Sequence, residues 1–338
     1  MSASDIPQQM RVVEIREPGG PDALVVAERP VPVPGPGEIL IRVVATGFNG
    51  ADAAQRAGAY PPPPGASDLP GLECSGTVAA TGEGAHLFSI GDEVCALLAG
   101  GGYAGFVAVP EVQVLPVPAG ISLVDAAAIP EVACTVLSNF AAPELPGPGR
   151  TVLVHGGSGG LGSFAIGFAA ALGCRVLATA GSSDGVAHAL DAGADAACDY
   201  HERDFTEFVA DETGGTGVDL VLDVVGGPYL ADNLRSLAIG GRLAVISVLG
   251  GPKAEVNLGV MMRRRLTISA TTLRARPVTG PGSKAEIVRA VESTVWPLIA
   301  NGRIRTAPTT RMPLDEASAL HAAHADRTLA PGKAILVV

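Results

Sequence analysis

The sequence predicts an α/β protein with two parts, a β-rich domain and a doubly wound domain built on a parallel sheet. Over residues 1–134, short runs of alternating apolar residues are separated by proline- and glycine-rich turns, which is typical of antiparallel β structure. Over residues 135–272, strand-like runs alternate with short helical runs, which favours a parallel sheet covered by helices. An apolar strand at the start of that second part leads directly into a glycine-rich turn.

In the β-rich part, the alternating pattern predicts strands at 39–44, 76–80 and 106–109. The segment after residue 272 has two helical patterns and ends in the apolar run 333–338. We expect this final run to be a strand that returns to the β-rich domain. That domain would then comprise residues 1–134 and 273–338.

In the second part, apolar runs of strand length are bounded by glycine or polar residues, and amphipathic runs lie between them. The predicted strands are 151–155, 175–180, 196–200, 219–225, 241–248 and 266–272. The predicted helices are 161–172, 186–192, 204–213 and 229–237, with Asp204 as the cap of the third.

The glycine-rich turn has the spacing G-x-G-x-x-G at Gly157, Gly159 and Gly162. In a dinucleotide site, the first glycine allows the tight turn, the second lets backbone N–H groups approach a pyrophosphate, and the third lets the helix pack on the strand. Chance matches are expected in a chain with 44 glycines, so a purely structural turn is the alternative. The flanking strand and helix favour a nucleotide site. Its predicted phosphate-binding residues are Gly157, Ser158, Gly159, Gly160, Leu161 and Gly162.

Composition excludes several classes of partner and predicts a cytoplasmic protein. The net charge is −11 and no basic block is present, so we expect no binding to nucleic acid or to anionic membranes. Residues 151–174 carry no Asp, Glu, Lys or Arg, but their glycines favour a buried strand and helix over a membrane span. The five cysteines form no C-x-x-C pair, which predicts free thiols in a reducing compartment.

Several motifs in register resemble the medium-chain dehydrogenase/reductase superfamily. Within it, the chain is similar to the zinc-free NAD(P)H:quinone oxidoreductases, the zeta-crystallin-like group, in the branch that includes the tumour-suppressor-inducible quinone reductase. The matching stretches are 34–38, 48–52, 60–67, 71–76, 97–102, 126–131 and 271–276. The resemblance implies a GroES-like catalytic domain at 1–134 and 273–338, and a Rossmann domain at 135–272.

The resemblance also implies that no zinc is bound. Zinc alcohol dehydrogenases of the superfamily take a ligand from a Gly-His-Glu motif, and here this motif is Gly71-Leu72-Glu73. Zinc needs three or four suitably spaced N, S or O ligands, and the histidines form no such pattern. His321 and His324 lie three residues apart on a predicted surface helix, where we expect them to be solvated.

For the substrate side, the resemblance implies roles for Asn49, Asp52 and Tyr60. Tyr60 is expected to hydrogen-bond or stack on a flat acceptor, with a structural aromatic as the alternative. Asn49 and Asp52 are alternatively turn and helix-cap residues. For the nicotinamide side, the matching positions are Thr135, Val248, Leu249, Gly250 and Arg274.

The predicted second strand of the Rossmann domain ends without the acidic residue that usually binds the ribose of NAD. This favours NADPH, although NADH remains an alternative. In the family, a Ser, a nearby Lys and a Tyr bind the extra phosphate. Ser182 and Tyr200 match, but no Lys lies within 183–185, so Lys333 or Arg203 is the candidate replacement.

These observations predict NADPH-dependent reduction of quinones by hydride transfer without a metal. An enoyl or enone reductase is the first alternative, including a tailoring enzyme for a natural product, and a non-catalytic NADPH-binding protein is the second. The apolar run 266–270 is a candidate exposed sheet edge, so we also expect a homodimer.

Overall fold

The computed structural model describes residues 6–142, 144–306 and 310–338, and these form two compact units. The first unit contains the chain up to Cys134, together with Leu273–Ala300 and Thr306–Val338. The second unit contains Thr135–Thr272 and Asn301–Arg305. The short segment 301–305 therefore belongs to the second unit, which the sequence pattern does not indicate.

Strands and helices are numbered in chain order. The strands are β1 (Gln9–Ile15), β2 (Leu24–Pro30), β3 (Glu38–Gly47), β4 (Glu73–Thr81), β5 (Glu93–Leu97), β6 (Phe106–Pro110), β7 (Val114–Pro116), β8 (Thr151–His155), β9 (Arg175–Ala180), β10 (Ala196–Asp199), β11 (Val218–Asp223), β12 (Leu237–Val245), β13 (Thr267–Ala270), β14 (Thr310–Pro313) and β15 (Ala334–Val337). The helices are α1 (Gly50–Arg56), α2 (Pro130–Phe140), α3 (Gly160–Ala171), α4 (Ser183–Asp191), α5 (Phe205–Thr213), α6 (Leu230–Ser236), α7 (Leu258–Arg264), α8 (Lys284–Thr294), α9 (Trp296–Ala300) and α10 (Ala317–Ala325).

The second unit is built on a parallel six-stranded sheet with the order β10-β9-β8-β11-β12-β13. This confirms the predicted doubly wound class. The central strands β8 and β11 are mainly apolar and almost entirely buried, because helices cover both faces of such a sheet. The chain starts at β8, proceeds outward to β10 and then crosses to β11. The strand order thus reverses between β8 and β11, where the carboxyl ends of the strands leave a crevice for a ligand.

The first unit contains a seven-stranded sheet with the order β14-β15-β3-β4-β5-β7, with β6 also paired to β3. Strands β1 and β2 form a separate antiparallel pair. The C-terminal strand β15 pairs antiparallel with β3, so that Ile335 lies opposite Gly47. Residues from near the two ends of the chain therefore meet in this sheet.

The predicted strand at 241–248 is displaced in the structure, where β12 covers Leu237–Val245. After β12, the N–H of Ile246 donates to the carbonyl of Asp223 at 2.9 Å. Beyond that bond, the N–H groups of Leu249 and Gly250 donate to Val224 and Val225. Residues 248–250 consequently lie in a loop that pairs with the loop after β11, rather than at the end of a strand.

The prediction that His321 is solvated is wrong. Its side chain is fully buried on α10, whereas His324 is exposed. The Nε2 of His321 lies 3.1 Å from the hydroxyl of Tyr103, and its Nδ1 lies 3.2 Å from Nη1 of Arg56. Burial lowers the pKa of His321 to about 3, and the neighbouring guanidinium of Arg56 acts in the same direction. The prediction failed because the sequence of a short, alanine-rich helix does not indicate which of its faces is covered by other segments.

All five cysteines are free, as predicted, and the structure shows that all five are buried. Burial raises the pKa of the Cys174 and Cys198 thiols to about 11, so these groups are poor nucleophiles. Among the described residues, no helix has both the length and the apolar character required to cross a membrane.

Candidate active site

In the second unit, the glycine-rich turn connects β8 to α3. Gly156 has φ of +70°, and its carbonyl accepts a hydrogen bond from the N–H of Gly159 at 3.0 Å. The N–H of Gly157 donates to the carbonyl of Thr179 on β9 at 2.8 Å, which fixes the turn to the neighbouring strand. Helix α3 begins at Gly160, so its positive N-terminal end lies in the predicted crevice.

The glycines of this turn have different environments. A Cβ atom at Gly162 would lie 2.1 Å from the carbonyl oxygen of Gly156, a contact with backbone that only a glycine avoids. A Cβ atom at Gly159 would meet nothing closer than 3.6 Å. The close packing of α3 on the turn therefore requires a glycine at position 162. The open space at Gly159 leaves the backbone accessible to a ligand.

Ser182 and Tyr200 lie beside each other at the end of β9. The hydroxyl of Ser182 accepts a hydrogen bond from the N–H of Gly185 at 3.1 Å and thereby caps α4. The ring of Tyr200 packs on Gly181, where a Cβ atom would lie 2.4 Å from the tyrosine hydroxyl. This end of the crevice contains two hydroxyl groups and a helix N-terminus, which is a suitable set for a phosphate.

The structure explains one aspect of the missing lysine. Gly185 is buried, and a Cβ atom there would lie 3.0 Å from the Cβ of Ser158, so this position cannot hold a long side chain. Asp184 precedes it, exposed in the first turn of α4. Arg203 forms an ion pair with Asp211. Lys333 belongs to the first unit, where its ammonium has the partners described below.

The predicted nicotinamide positions in the second unit are Thr135 and residues 248–250. The carbonyl of Thr135 on α2 accepts a hydrogen bond from Nδ2 of Asn139 at 2.8 Å, and Oδ1 of Asn139 accepts one from Thr271 at 3.0 Å. Asn139, which the sequence analysis missed, thus ties α2 to the segment after β13. The loop at 248–251 is tied to the loop after β11, and the side chain of Leu249 is 76% exposed.

His155, at the end of β8, is a second residue that the sequence analysis missed. Its ring is fully buried, with Nε2 2.7 Å from Oδ1 of Asn233 on α6 and Nδ1 2.9 Å from the hydroxyl of Thr179. A carbonyl oxygen only accepts, so Nε2 carries the proton and Thr179 donates to Nδ1. Burial lowers the pKa of His155 to about 4. The neutral ring therefore holds the strand that precedes the glycine turn.

This histidine makes the stability of the protein depend on pH. The pKa of His155 is about 4 in the folded protein, against 6.5 when unfolded, so the unfolded chain binds the proton first as the pH falls. The free energy of unfolding should therefore decrease between about pH 6.5 and pH 4, by about 2.5 kcal/mol at most. Urea denaturation at pH 7.5 and at pH 4.5 measures this decrease in the free energy of unfolding. The decrease should be smaller in His155→Gln, and an NMR titration of His155 near pH 6.5 would contradict the prediction.

In the first unit, the buried side chains of Glu73 and Lys333 form a polar group with Asn49, which is partly buried. The ammonium of Lys333 lies 2.6 Å from Oδ1 of Asn49 and 2.6 Å from Oε1 of Glu73. Nδ2 of Asn49 donates to Oε1 of Glu73 at 2.9 Å, and the N–H of Glu131 donates to Oε2 at 2.9 Å. Because an ammonium only donates, Lys333 fixes the orientation of the Asn49 amide. The carboxylate of Glu73 is fully buried and is neutralised by Lys333.

Asp52 is fully buried at the start of α1, and its bonds are those of a cap. Its Oδ2 accepts a hydrogen bond from the N–H of Asn49 at 2.8 Å, and its Oδ1 accepts one from the N–H of Gly71 at 2.9 Å. Burial raises the pKa of Asp52 to about 6. Both carboxylate oxygens of Asp52 thus accept backbone hydrogen bonds, which supports the alternative that Asp52 is a helix-cap residue.

Tyr60 and Arg274 are adjacent in the first unit. Nη1 of Arg274 donates to the carbonyl of Tyr60 at 3.2 Å, and the guanidinium lies 5.4 Å from the centre of the tyrosine ring. Tyr60 is partly buried, and burial raises the pKa of its hydroxyl. Arg274 is almost completely buried, with only 3% of its surface exposed. The ring of Tyr60 is thus held in place while part of it remains accessible.

At the position where zinc-dependent relatives carry a histidine ligand, Leu72 is buried in the first unit. Within residues 6–142, 144–306 and 310–338, no three or more His, Cys, Asp or Glu side chains are grouped as a metal site would require. Stoichiometric zinc in protein purified without chelators would contradict the prediction that no zinc is bound.

Comparison with known proteins gives two matching domain families and many relatives. Residues 35–119 match the alcohol dehydrogenase GroES-like domain, and residues 160–289 match the domain described as zinc-binding dehydrogenase. The quinone oxidoreductase of Rattus norvegicus is 32% identical over 269 residues, which cover 78% of this chain and 80% of that protein. A solved structure of the Escherichia coli quinone oxidoreductase complexed with NADPH has a TM-score of 0.86 and 29% identity, covering 97% of this chain and 100% of that one.

Another relative is a multidomain protein. A mycocerosic acid synthase-like polyketide synthase of Mycolicibacterium smegmatis is 32% identical over 320 residues. These cover 94% of this chain but only 15% of the synthase, so the chain corresponds to one segment of that protein.

Proposed function

Because the chain belongs to the quinone oxidoreductases of the medium-chain dehydrogenase/reductase superfamily, we propose that it reduces quinones with NADPH. The observation that carries this proposal is the chemistry of the substrate side, where Leu72 stands at the position of a zinc ligand in zinc-dependent relatives and Lys333 neutralises Glu73. Leucine cannot ligate a metal, and reduction of an ordinary ketone would need a Lewis acid or an equivalent group to stabilise the alkoxide. A quinone needs none, because its own π-system accepts the two electrons of the hydride.

The residues of the second unit fit NADPH. The backbone of the turn at 157–162 and the N-terminus of α3 would hold the pyrophosphate, and Ser182 and Tyr200 would hold the 2′-phosphate. Thr135 and the loop at 248–250 would face the nicotinamide. When bound, the cofactor supplies the hydride. The chain orients the ring, excludes water and holds the acceptor, and proximity then accounts for most of the rate.

The missing lysine provides a test of the cofactor preference. Replacing exposed Asp184 with lysine removes a carboxylate and adds a cation in the first turn of α4, close to Ser182. We expect the ratio of kcat/KM for NADPH to that for NADH to rise about tenfold, since one charge-assisted contact contributes about 1.5 kcal/mol. The variant Asp184→Asn removes the carboxylate without adding a cation, so it separates the two effects. A wild-type ratio favouring NADH would overturn the NADPH assignment.

Tyr60 is the residue we propose to contact the acceptor. Its hydroxyl would donate a hydrogen bond to a quinone oxygen that becomes more basic as the hydride arrives. Tyr60→Phe keeps the ring over which Arg274 lies but removes that donor, so kcat/KM for 1,4-benzoquinone should decrease about tenfold. Tight NADPH binding should persist, as measured by fluorescence. Unchanged quinone kinetics in this variant would remove Tyr60 from the mechanism.

The main alternative is reduction of an activated C=C bond, and the similarity to the polyketide synthase favours it specifically. Both reactions need the same hydride donor and one further proton, so the cofactor unit does not separate them. Steady-state assays with 1,4-benzoquinone, 9,10-phenanthrenequinone and a crotonyl thioester distinguish the two reactions. A higher kcat/KM for the thioester would replace our proposal with an enoyl reductase. NADPH binding without turnover of any acceptor would indicate a non-catalytic protein.

We also propose that the protein is a homodimer that pairs through β13. This strand is at the edge of its sheet and pairs only with β12 among the described strands. An unpaired edge is a template for a second copy across a two-fold axis. Light scattering should give twice the monomer mass of 33.9 kDa. The variant Ser269→Pro should lower the measured mass toward that of the monomer. A monomeric wild-type protein would contradict the proposal.

A further inference from the structure

A cavity of about 600 Å³ lies within the first unit, in the size range of small-molecule sites. Its apolar walls include Leu69, Leu98 and Phe106, and two buried cations, Arg274 and Lys284, also line it. We propose that this cavity binds an amphipathic carboxylate, with the carboxylate group at the two cations and the apolar tail on these walls. The inference stands on the first unit alone and does not depend on the quinone assignment.

The guanidinium of Arg274 is only partly satisfied. Its Nε donates to the carbonyl of Ala99 at 2.7 Å and its Nη1 donates to the carbonyl of Tyr60 at 3.2 Å. Its Nη2 is buried and has no hydrogen-bond partner among the described residues. This nitrogen is directed toward Gly100, which lines the cavity. A buried donor without an acceptor is unfavourable, and a ligand oxygen would relieve that penalty.

Lys284 supplies a second buried cation, with 4% of its surface exposed. Its ammonium donates to the carbonyl of Arg276 at 2.7 Å, which leaves further N–H groups. Burial lowers the pKa of Lys284, and the positive charge of Arg274 lowers it further. Neither cation has a carboxylate within 4.0 Å in the described part of the chain. Two like charges are thus buried close together without an ion-pair partner.

The other charges at the cavity favour a single negative charge on the ligand. Arg29 is paired with Glu14 at 2.6 Å, and the Glu38 carboxylate accepts from the N–H of Gly35 at 2.8 Å. Burial lowers the pKa of Arg274, whereas the nearby Asp52 and Glu131 act in the opposite direction, and Glu131 does the same at Lys284. The two buried cations thus have carboxylates nearby that offset part of their charge, which matches a singly charged carboxylate better than a phosphate dianion.

This proposal gives Arg274 a role other than the nicotinamide contact that the family resemblance implies. The same guanidinium holds the carbonyl of Tyr60, and Pro63, Pro64 and Ser67 of the following segment line the cavity. A ligand in the cavity would therefore contact the segment that carries Tyr60.

Isothermal titration of the full chain with sodium octanoate, 1-octanol and inorganic phosphate tests the proposal. Octanoate should bind at one site, at least tenfold more tightly than 1-octanol, and phosphate should bind more weakly than octanoate. Arg274→Gln and Lys284→Gln should each weaken octanoate binding at least tenfold. Arg289→Gln is the matched control, because it removes an exposed cation from the same helix, α8, and should change nothing.

Circular dichroism and thermal unfolding of each variant report whether it folds. If Arg274→Gln fails to fold, Lys284→Gln and Arg274→Lys carry the test, and the lysine variant should retain part of the octanoate affinity. Equal binding of octanoate and 1-octanol, or wild-type octanoate affinity in folded Lys284→Gln and Arg274→Gln, would overturn the proposal. Quinone turnover is measured separately, so failure of either assignment leaves the other open to test.

Discussion

Replacing Gly162 with alanine should abolish measurable NADPH binding and destabilise the second unit. The added Cβ atom would lie 2.1 Å from the carbonyl oxygen of Gly156 and 2.7 Å from its carbonyl carbon. Both are backbone atoms of the turn, so relief requires α3 to move away from β8. We expect about 3 kcal/mol of lost stability and at least about a hundredfold loss of NADPH affinity, measured by denaturation and by nucleotide fluorescence.

Two neighbouring glycines provide matched controls for this variant. Gly167→Ala lies in the same helix, where the added Cβ would meet nothing closer than 3.5 Å, so stability should be unchanged or slightly higher. Gly159→Ala should fold normally, with its nearest contact at 3.6 Å, but should weaken NADPH binding by obstructing the pyrophosphate. Normal NADPH binding by Gly162→Ala would show that the turn is not packed as described.

Replacing Lys333 with methionine should be the most destabilising change in the first unit. It would leave the Glu73 carboxylate, which is fully buried, without its counter-ion. Removing one partner of a buried ion pair typically costs about 3–5 kcal/mol, because the remaining charge has lost its solvation. The orientation of the Asn49 amide would also be lost, so kcat/KM for the quinone should decrease together with stability.

The double variant Lys333→Met with Glu73→Gln separates the buried charge from the loss of the lysine stem. A neutral glutamine has one carbonyl oxygen, which can accept from the N–H of Glu131, and its NH2 group would donate to Asn49 once that amide turns over in the absence of Lys333. Part of the stability should therefore return. Lys253→Met, at an exposed position, controls for the general effect of removing a lysine. If Lys333→Met alone had wild-type stability, the pair would not support the fold as we infer.

The nucleotide-binding unit is the part of this protein that the sequence predicted best. The strand at 151–155, the glycine spacing from Gly157 to Gly162 and the helix after it follow one another along the chain, so local pattern determines their geometry. The same holds for the alternation of strands and helices that confirmed the doubly wound class. The end of β12 was misplaced because two loops pair beyond it, and no local pattern reports that pairing.

On the substrate side, the contacts join residues that are far apart in the chain. The replacement of a zinc ligand by Leu72 is visible in the sequence, as are the residue types of Asn49, Glu73 and Lys333. Their contact is not visible there, because Lys333 and Asn49 are 284 positions apart in the chain and meet only in the folded protein. The antiparallel register of β15 on β3 sets Ile335 opposite Gly47. Lys333, two residues before Ile335, therefore lies beside Asn49, two residues after Gly47. Periodicity determines which residues are buried, whereas strand pairing determines which buried charges meet.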